Sequence, residues 1–155
     1  MESHLGRRGE ESATQVYLVL WRAARAIEEN AARSVAALGL GRSDFAVLEV
    51  LLHKGPQPVN LIGKRVLLTS GSITTAVDRL EGKKLLRRNP DSKDGRIRIV
   101  ELTDTGRRLI DRAFEKHATD MEETMAVLRP SERRELIRLL KKVGLWAASR
   151  LDDQE

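Results

Sequence analysis

At 155 residues, 41% of them apolar, the chain has room for one domain, or one domain with helical extensions. It has no cysteine, which excludes disulfides, thiolate nucleophiles and cysteine metal sites. A formal charge of +5 favours a polyanionic partner without requiring one. Five aromatics are present, Tyr17, Trp21, Phe45, Phe114 and Trp146, so the core has to rest on Leu, Val, Ile and Ala.

Residues 1–13 open with "MESHLGRRGEES", which is polar and charged. This reads as a flexible start rather than a signal peptide or a membrane span. No later apolar run approaches the ~20 residues a span needs, so a cytoplasmic protein is expected, with no membrane partner.

From Thr14 to Leu38, Val16, Leu20, Ala23, Ile27, Ala31, Val35 and Leu38 recur at three- and four-residue steps, which predicts a long helix. Gly39 and Gly41 end it. Ser43 to His53 predicts a second helix, with Phe45, Leu48 and Leu52 on one face. Pro56 and Pro58 make "KGPQPV" a loop, and a short helix runs from Val59 to about Val66. "LLTSGS" is a turn in which Thr69 or Ser70 caps the next helix.

That helix, "SITTAVDRLEGKK", buries Ile73, Val77 and Leu80 by their angular spacing. Gly71, Ser72, Thr75, Asp78, Arg79 and Gly82 lie on its opposite side. Two strand-like runs follow, Leu85 to Asn89 and Arg96 to Leu102, separated by the turn-rich "PDSKDG". Thr103 caps a long helix from Asp104 to about Leu128, and Pro130 opens a last helix to about Leu151. Its residues Leu136, Leu139, Leu140, Val143, Trp146 and Ala147 form a near-heptad seam.

The expected fold is therefore mainly α with a small β-hairpin: a winged helix-turn-helix over 39–103, flanked by helices over 14–38 and 104–151, with a tail at 152–155. Helix, turn, helix and basic hairpin suit duplex DNA. A recognition helix has to enter a major groove about 12 Å wide, so its outer face has to be slim and able to hydrogen-bond. Gly71, Ser72 and Thr75 meet that need, and Arg79 is placed to reach a phosphate or a guanine. Lys93, Arg96 and Arg98 sit where a wing reaches the backbone or a narrow minor groove. Asp94, two residues before Arg96, is expected to hold that guanidinium by a charge-assisted bond. Between Lys64 and Arg98 stand ten Lys or Arg against four Asp or Glu, a local +6 that exceeds the whole chain's +5.

Enzyme readings lack a constellation. His4, His53 and His117 are scattered, with no spacing for a metal. "LIGKR" is not a phosphate loop, because Pro58 takes the place of the first glycine and Arg65 that of the Ser or Thr. No catalytic residue, metal or cofactor is expected.

The stretch "SGSITTAVDRLEGKKLLRRNPDSKDGRIRIVELTDTG" resembles the MarR (multiple antibiotic resistance regulator) family of winged-helix transcription factors, and the resemblance runs from about Thr14 to Ala148. "DRLEGKKLLRR" is similar to the family's recognition-helix exit. Asp94-x-Arg96 followed by "VELTDTG" is similar to its wing signature. "FAVLEVLLHKGPQPVNLIGKRVLLTSGSIT" further resembles a branch containing quinone- and phenol-responsive repressors. The chain departs from the family at Lys84, where Gly is usual and where Gly82 is a partial substitute, and at Gly95, where a second wing arginine is common.

The resemblance implies a homodimer whose terminal helices interlock and whose two recognition helices read a pseudo-palindrome. The long apolar faces of the first and last helices point the same way, since a monomer leaves them wet. Expected DNA contacts are Ser70, Gly71, Ser72, Thr74, Thr75 and Arg79 on the helix, and Arg87, Lys93, Asp94, Arg96 and Arg98 on the wing. The family also implies a small aromatic or phenolic effector. Tyr17, Trp21, Arg25, Phe45 and His53 offer stacking surface and polar handles for one, or else simply pack. A ligand-independent DNA-binding or architectural protein is the alternative.

Overall fold

A computed structural model of the chain describes residues 12–152. The expected flexible start, over 1–11, and the last three residues lie outside the described residues. Two compact units meet in sequence at Asp120 and Met121, and each is considered by itself.

The first unit holds helices α1 (Ala13–Ala36), α2 (Arg42–Lys54), α3 (Val59–Arg65) and α4 (Ser70–Gly82), strands β1 (Gln57–Pro58), β2 (Leu86–Pro90) and β3 (Arg98–Leu102), and most of α5 (Asp104–Thr124). Ser12 caps α1 by accepting from the Gln15 N–H, and Thr69 caps α4 by accepting from the Ser72 N–H. The core is aliphatic, as the scarcity of aromatics requires. Val47, Leu48, Ile62, Val77, Leu80, Leu86, Val100 and Ile110 are buried, each contributing about 1.5–3 kcal/mol. Ile73, Val77 and Leu80 form the inner stripe of α4, joined by Ala76. Gly63 lets α3 approach α4, because a Cβ there would stand 3.1 Å from Ile73 Cγ2.

The sheet departs from a simple hairpin. It has three strands in the order β1-β3-β2, both pairings antiparallel, with Gln57 opposite Val100 and Pro58 opposite Ile99. The loop expected at "KGPQPV" thus contains a two-residue edge strand, a place where proline is tolerated because its missing N–H is not needed by the ladder. The second wing strand begins at Arg98 rather than Arg96, and Arg96 and Ile97 belong to the turn. Val100 is buried while Ile97 is exposed, which resolves the imperfect alternation of that run.

Most of α1 is solvent-facing. Val16, Tyr17, Leu18, Val19, Leu20 and Trp21 are all exposed, and burial begins with Ser34 and Val35.

In the second unit, α5 ends at Thr124, one turn before the expected Leu128, and α6 spans Pro130–Asp152. The Glu132 carboxylate accepts from the Arg129 backbone N–H at 2.8 Å and from Arg129 Nη2 at 2.9 Å, satisfying the start of α6. Those bonds from Arg129, first the side chain's and then the backbone's, hold the Glu132 carboxyl below the usual carboxylate range. Leu136, Ile137, Leu139, Leu140, Val143, Leu145 and Trp146 are exposed along α6. No described helix is long and apolar enough to cross a membrane.

Candidate nucleic-acid interface

The outer face of α4 is built as its composition demands. Gly71, Ser72, Thr74, Thr75, Asp78, Arg79 and Gly82 are all exposed. Ser72, Thr75 and Arg79 share a cleft of about 530 Å³ with Ser43, Thr69 and Gly71. The hydroxyls are less available as donors than their chemistry alone suggests. Thr74 donates to the Ser70 carbonyl at 2.9 Å, Thr75 to the Gly71 carbonyl at 3.0 Å, and Thr69 to Ser72 Oγ at 2.9 Å. What the two threonines present is an acceptor oxygen and a methyl group. These suit a base amino group and a thymine methyl better than a phosphate.

The wing tip is shaped by its acids. The Asp91 carboxylate accepts from the backbone N–H groups of Lys93 and Asp94, and the Asp94 carboxylate accepts from that of Arg96 at 3.0 Å. Asp94 therefore holds the Arg96 backbone by a hydrogen bond, while its contact with the guanidinium is an ion pair at 3.8 Å from Nε, too long for the expected charge-assisted bond. The Arg96 side chain is 96% exposed. Lys93 and Arg98 are exposed and have no ion-pair partner among the described residues.

Two expected DNA contacts are engaged elsewhere. Arg87 Nε donates to Glu101 across the β2–β3 pair at 2.6 Å. Arg79 donates to Asp44, a carboxylate on α2 whose side chain is 3% exposed. Those hydrogen bonds, and then the charge, hold the Arg79 guanidinium above its ordinary value. Arg88 braces the other side of α4, bonding Asp78 and Glu81. Burial pulls its guanidinium down, and the two carboxylates outweigh that and hold it up.

Asp44 is the residue that the sequence did not reveal. An acid near a helix start reads as a dipole partner, and nothing in the chain order ties it to position 79. Lys84 explains itself. Its φ is +58°, so the residue standing where the family has Gly keeps the left-handed turn that Gly serves. Gly82 is the last residue of α4 and does not substitute for it. Gly95 sits in the exposed tip, and a Cβ there meets nothing within 4 Å.

The chain has the relatives this geometry suggests. Residues 38–97 match the MarR family. The HTH-type transcriptional regulator MhqR of Bacillus subtilis (strain 168) is 40% identical over 88% of this chain and 94% of its own. The chain belongs to the MarR family. Among solved structures, Bordetella bronchiseptica BpsR, studied for regulation of its DNA binding by 6-hydroxynicotinic acid, superposes with a TM-score of 0.75 at 26% identity, over 84% of this chain and 98% of its own. A cysteine-to-serine mutant of MarR from E. coli complexed with operator DNA has the same fold, with a TM-score of 0.76 at 22% identity over 89% of this chain and 99% of its own. These relatives make this MarR-family chain a DNA-binding transcriptional regulator.

The five effector candidates do not converge within the chain. Phe45 is buried, 5.0 Å from the His117 ring, and lines a cavity of about 650 Å³ with Ala31, Val35, Val66, Leu68 and His117. Glu28 and Arg42, an ion pair, also border it. Trp21 and Arg25 lie in a separate depression and stack on each other at 5.9 Å. His53 packs edge-on against Phe114 at 4.7 Å, and Tyr17 is exposed on α1. His117 lacked any signal in the sequence beyond its type. Its Nδ1 is buried without a hydrogen-bond partner among the described residues.

Proposed function

We propose that this MarR-family chain is a homodimeric repressor that reads a pseudo-palindromic operator and is released by a small hydroxylated aromatic ligand. The observation that carries the ligand is the orphaned Nδ1 of His117, a residue that packs beside Phe45 and lines the 650 Å³ cavity with apolar side chains and the Glu28–Arg42 pair. A buried polar atom without a partner is costly, and a ligand able to hydrogen-bond removes that cost. The exposed apolar faces of α1 and of α6 support the dimer, since water contact over that much apolar surface is unfavourable. Two-fold symmetry then sets half-sites about one helical turn apart, ~34 Å. Ligand in the cavity favours dimers whose recognition helices are mis-spaced. Complete release requires roughly 10⁴-fold tighter ligand binding to that state.

The test has three arms on the full chain. Sedimentation measures the dimer, selection from a random duplex pool finds the operator, and a panel of phenols, hydroxybenzoates and quinones is screened for thermal shift and for operator release. The expected result is a dimer, a palindromic consensus, and at least one hydroxyaromatic that does both. A chain that selects an operator and responds to no compound supports the ligand-independent alternative, which the dispersal of Tyr17, Trp21 and His53 favours.

A further inference from the structure

Arg79 is the only cation on α4, and it lies on one stripe with Ser72 and Thr75. It is held in a manner unlike the other cations near the interface. Nε donates to both Asp44 oxygens, at 3.0 and 3.1 Å, and Nη2 donates to Asp44 Oδ1 at 2.5 Å and to Ser43 Oγ at 3.4 Å. Nη1 makes no hydrogen bond among the described residues. The Arg79 side chain remains 42% exposed while that of Asp44 is 3% exposed, so the Nε–Nη2 edge of a half-exposed guanidinium is tied to a buried carboxylate and Nη1 is left unbonded. Among the described residues Lys83 Nζ, at 3.8 Å, is the other cation paired with Asp44.

A two-point contact fixes the plane of the guanidinium as well as its position. A free surface arginine meets a phosphate in many poses and loses rotamer freedom each time. One fixed in advance loses little and discriminates by direction. We propose that Asp44 is a positioning residue for sequence recognition: it locks Arg79 so that its Nη1 edge faces the duplex groove beside Ser72 and Thr75, where it meets a base-edge acceptor. The orienting role that the sequence suggested for Asp94 toward Arg96 belongs instead to Asp44 toward Arg79. This inference rests on α4 being the recognition helix.

The experiment compares the wild-type chain with Asp44→Asn and Arg79→Lys. The readout is the ratio of affinities for the duplex that the wild type selects and for a shuffled duplex of the same composition. Asparagine keeps the shape and an acceptor while removing the charge. Lysine keeps the ion pair with Asp44, and so the fold, while losing the fork. Both variants are expected to lower the ratio by about 10-fold or more, with shuffled-duplex binding and the salt slope retained. A purely structural role would weaken binding to both duplexes together, in step with a lowered melting temperature, and would overturn the proposal. So would a folded Arg79→Lys chain with an unchanged ratio. If Asp44→Asn does not fold, Arg79→Lys decides the matter alone. A wild-type chain that selects no duplex overturns the underlying recognition-helix reading, a result separate from either variant's.

Discussion

Gly106 offers a sharp test of how the wing is anchored. It lies in the first turn of α5, and its φ is not in the left-handed region, so conformational freedom is not what requires glycine there. Space is. A Cβ at position 106 would stand 1.8 Å from the Leu85 carbonyl oxygen and 2.7 Å from its carbon, and real Cβ contacts stay beyond 3.0 Å. Both atoms are backbone, so Gly106→Ala has to move α5 and the base of β2 apart by about 1 Å. That movement breaks the Thr103 N–H bond to the Leu85 carbonyl, now 3.1 Å, and strains the Thr103 hydroxyl bond to the Lys84 carbonyl, now 2.7 Å. Two hydrogen bonds at about 1 kcal/mol each and overpacking of about 1–3 kcal/mol add to a loss of about 3–5 kcal/mol. Urea denaturation followed by circular dichroism measures it, with Gly82→Ala as control, since a Cβ there meets nothing within 4 Å. The control is expected to be neutral or stabilising by up to about 1 kcal/mol. A loss below about 1 kcal/mol for Gly106→Ala would refute the steric argument.

The remaining predictions concern charge. Arg96→Ala should leave stability within about 0.5 kcal/mol, because its side chain is almost wholly exposed. If Arg96 meets a phosphate, the slope of log affinity against log salt should flatten by about 0.9 per wing. Between 50 and 200 mM salt that amounts to about 3.5-fold per wing, and an unchanged slope removes Arg96 from the phosphate contacts. Because the Glu132 carboxyl is held low in the folded state, its contribution at the α6 start is present above its ordinary titration range, near pH ~4.3. That contribution is lost as pH falls through the depressed folded value. Arg129→Gln should move the Glu132 titration up toward the ordinary value by carbon-13 NMR, and no movement would discount the pair.

The sequence by itself determined the order of the helices and of the wing hairpin, the inward stripe of α4, its slim polar outer face and the concentration of positive charge from Lys64 to Arg98. These are properties of periodicity and composition, and they survive whatever the rest of the chain does. Tertiary structure alone decided which arginines are tied down by hydrogen bonds to distant carboxylates. Arg79 and Arg87 look identical to Arg96 in the chain, yet the first two hydrogen-bond to carboxylates 35 and 14 residues away, while the third has a loose ion pair with nearby Asp94 and is 96% exposed. It also decided that Phe45 and His117 share a cavity while Tyr17, Trp21 and His53 do not, and that Pro58 lies in a strand. The reason is range. Helical and strand periods are set by neighbours a few residues apart, whereas ion pairs, edge strands and cavities depend on which distant segments the folded core brings together.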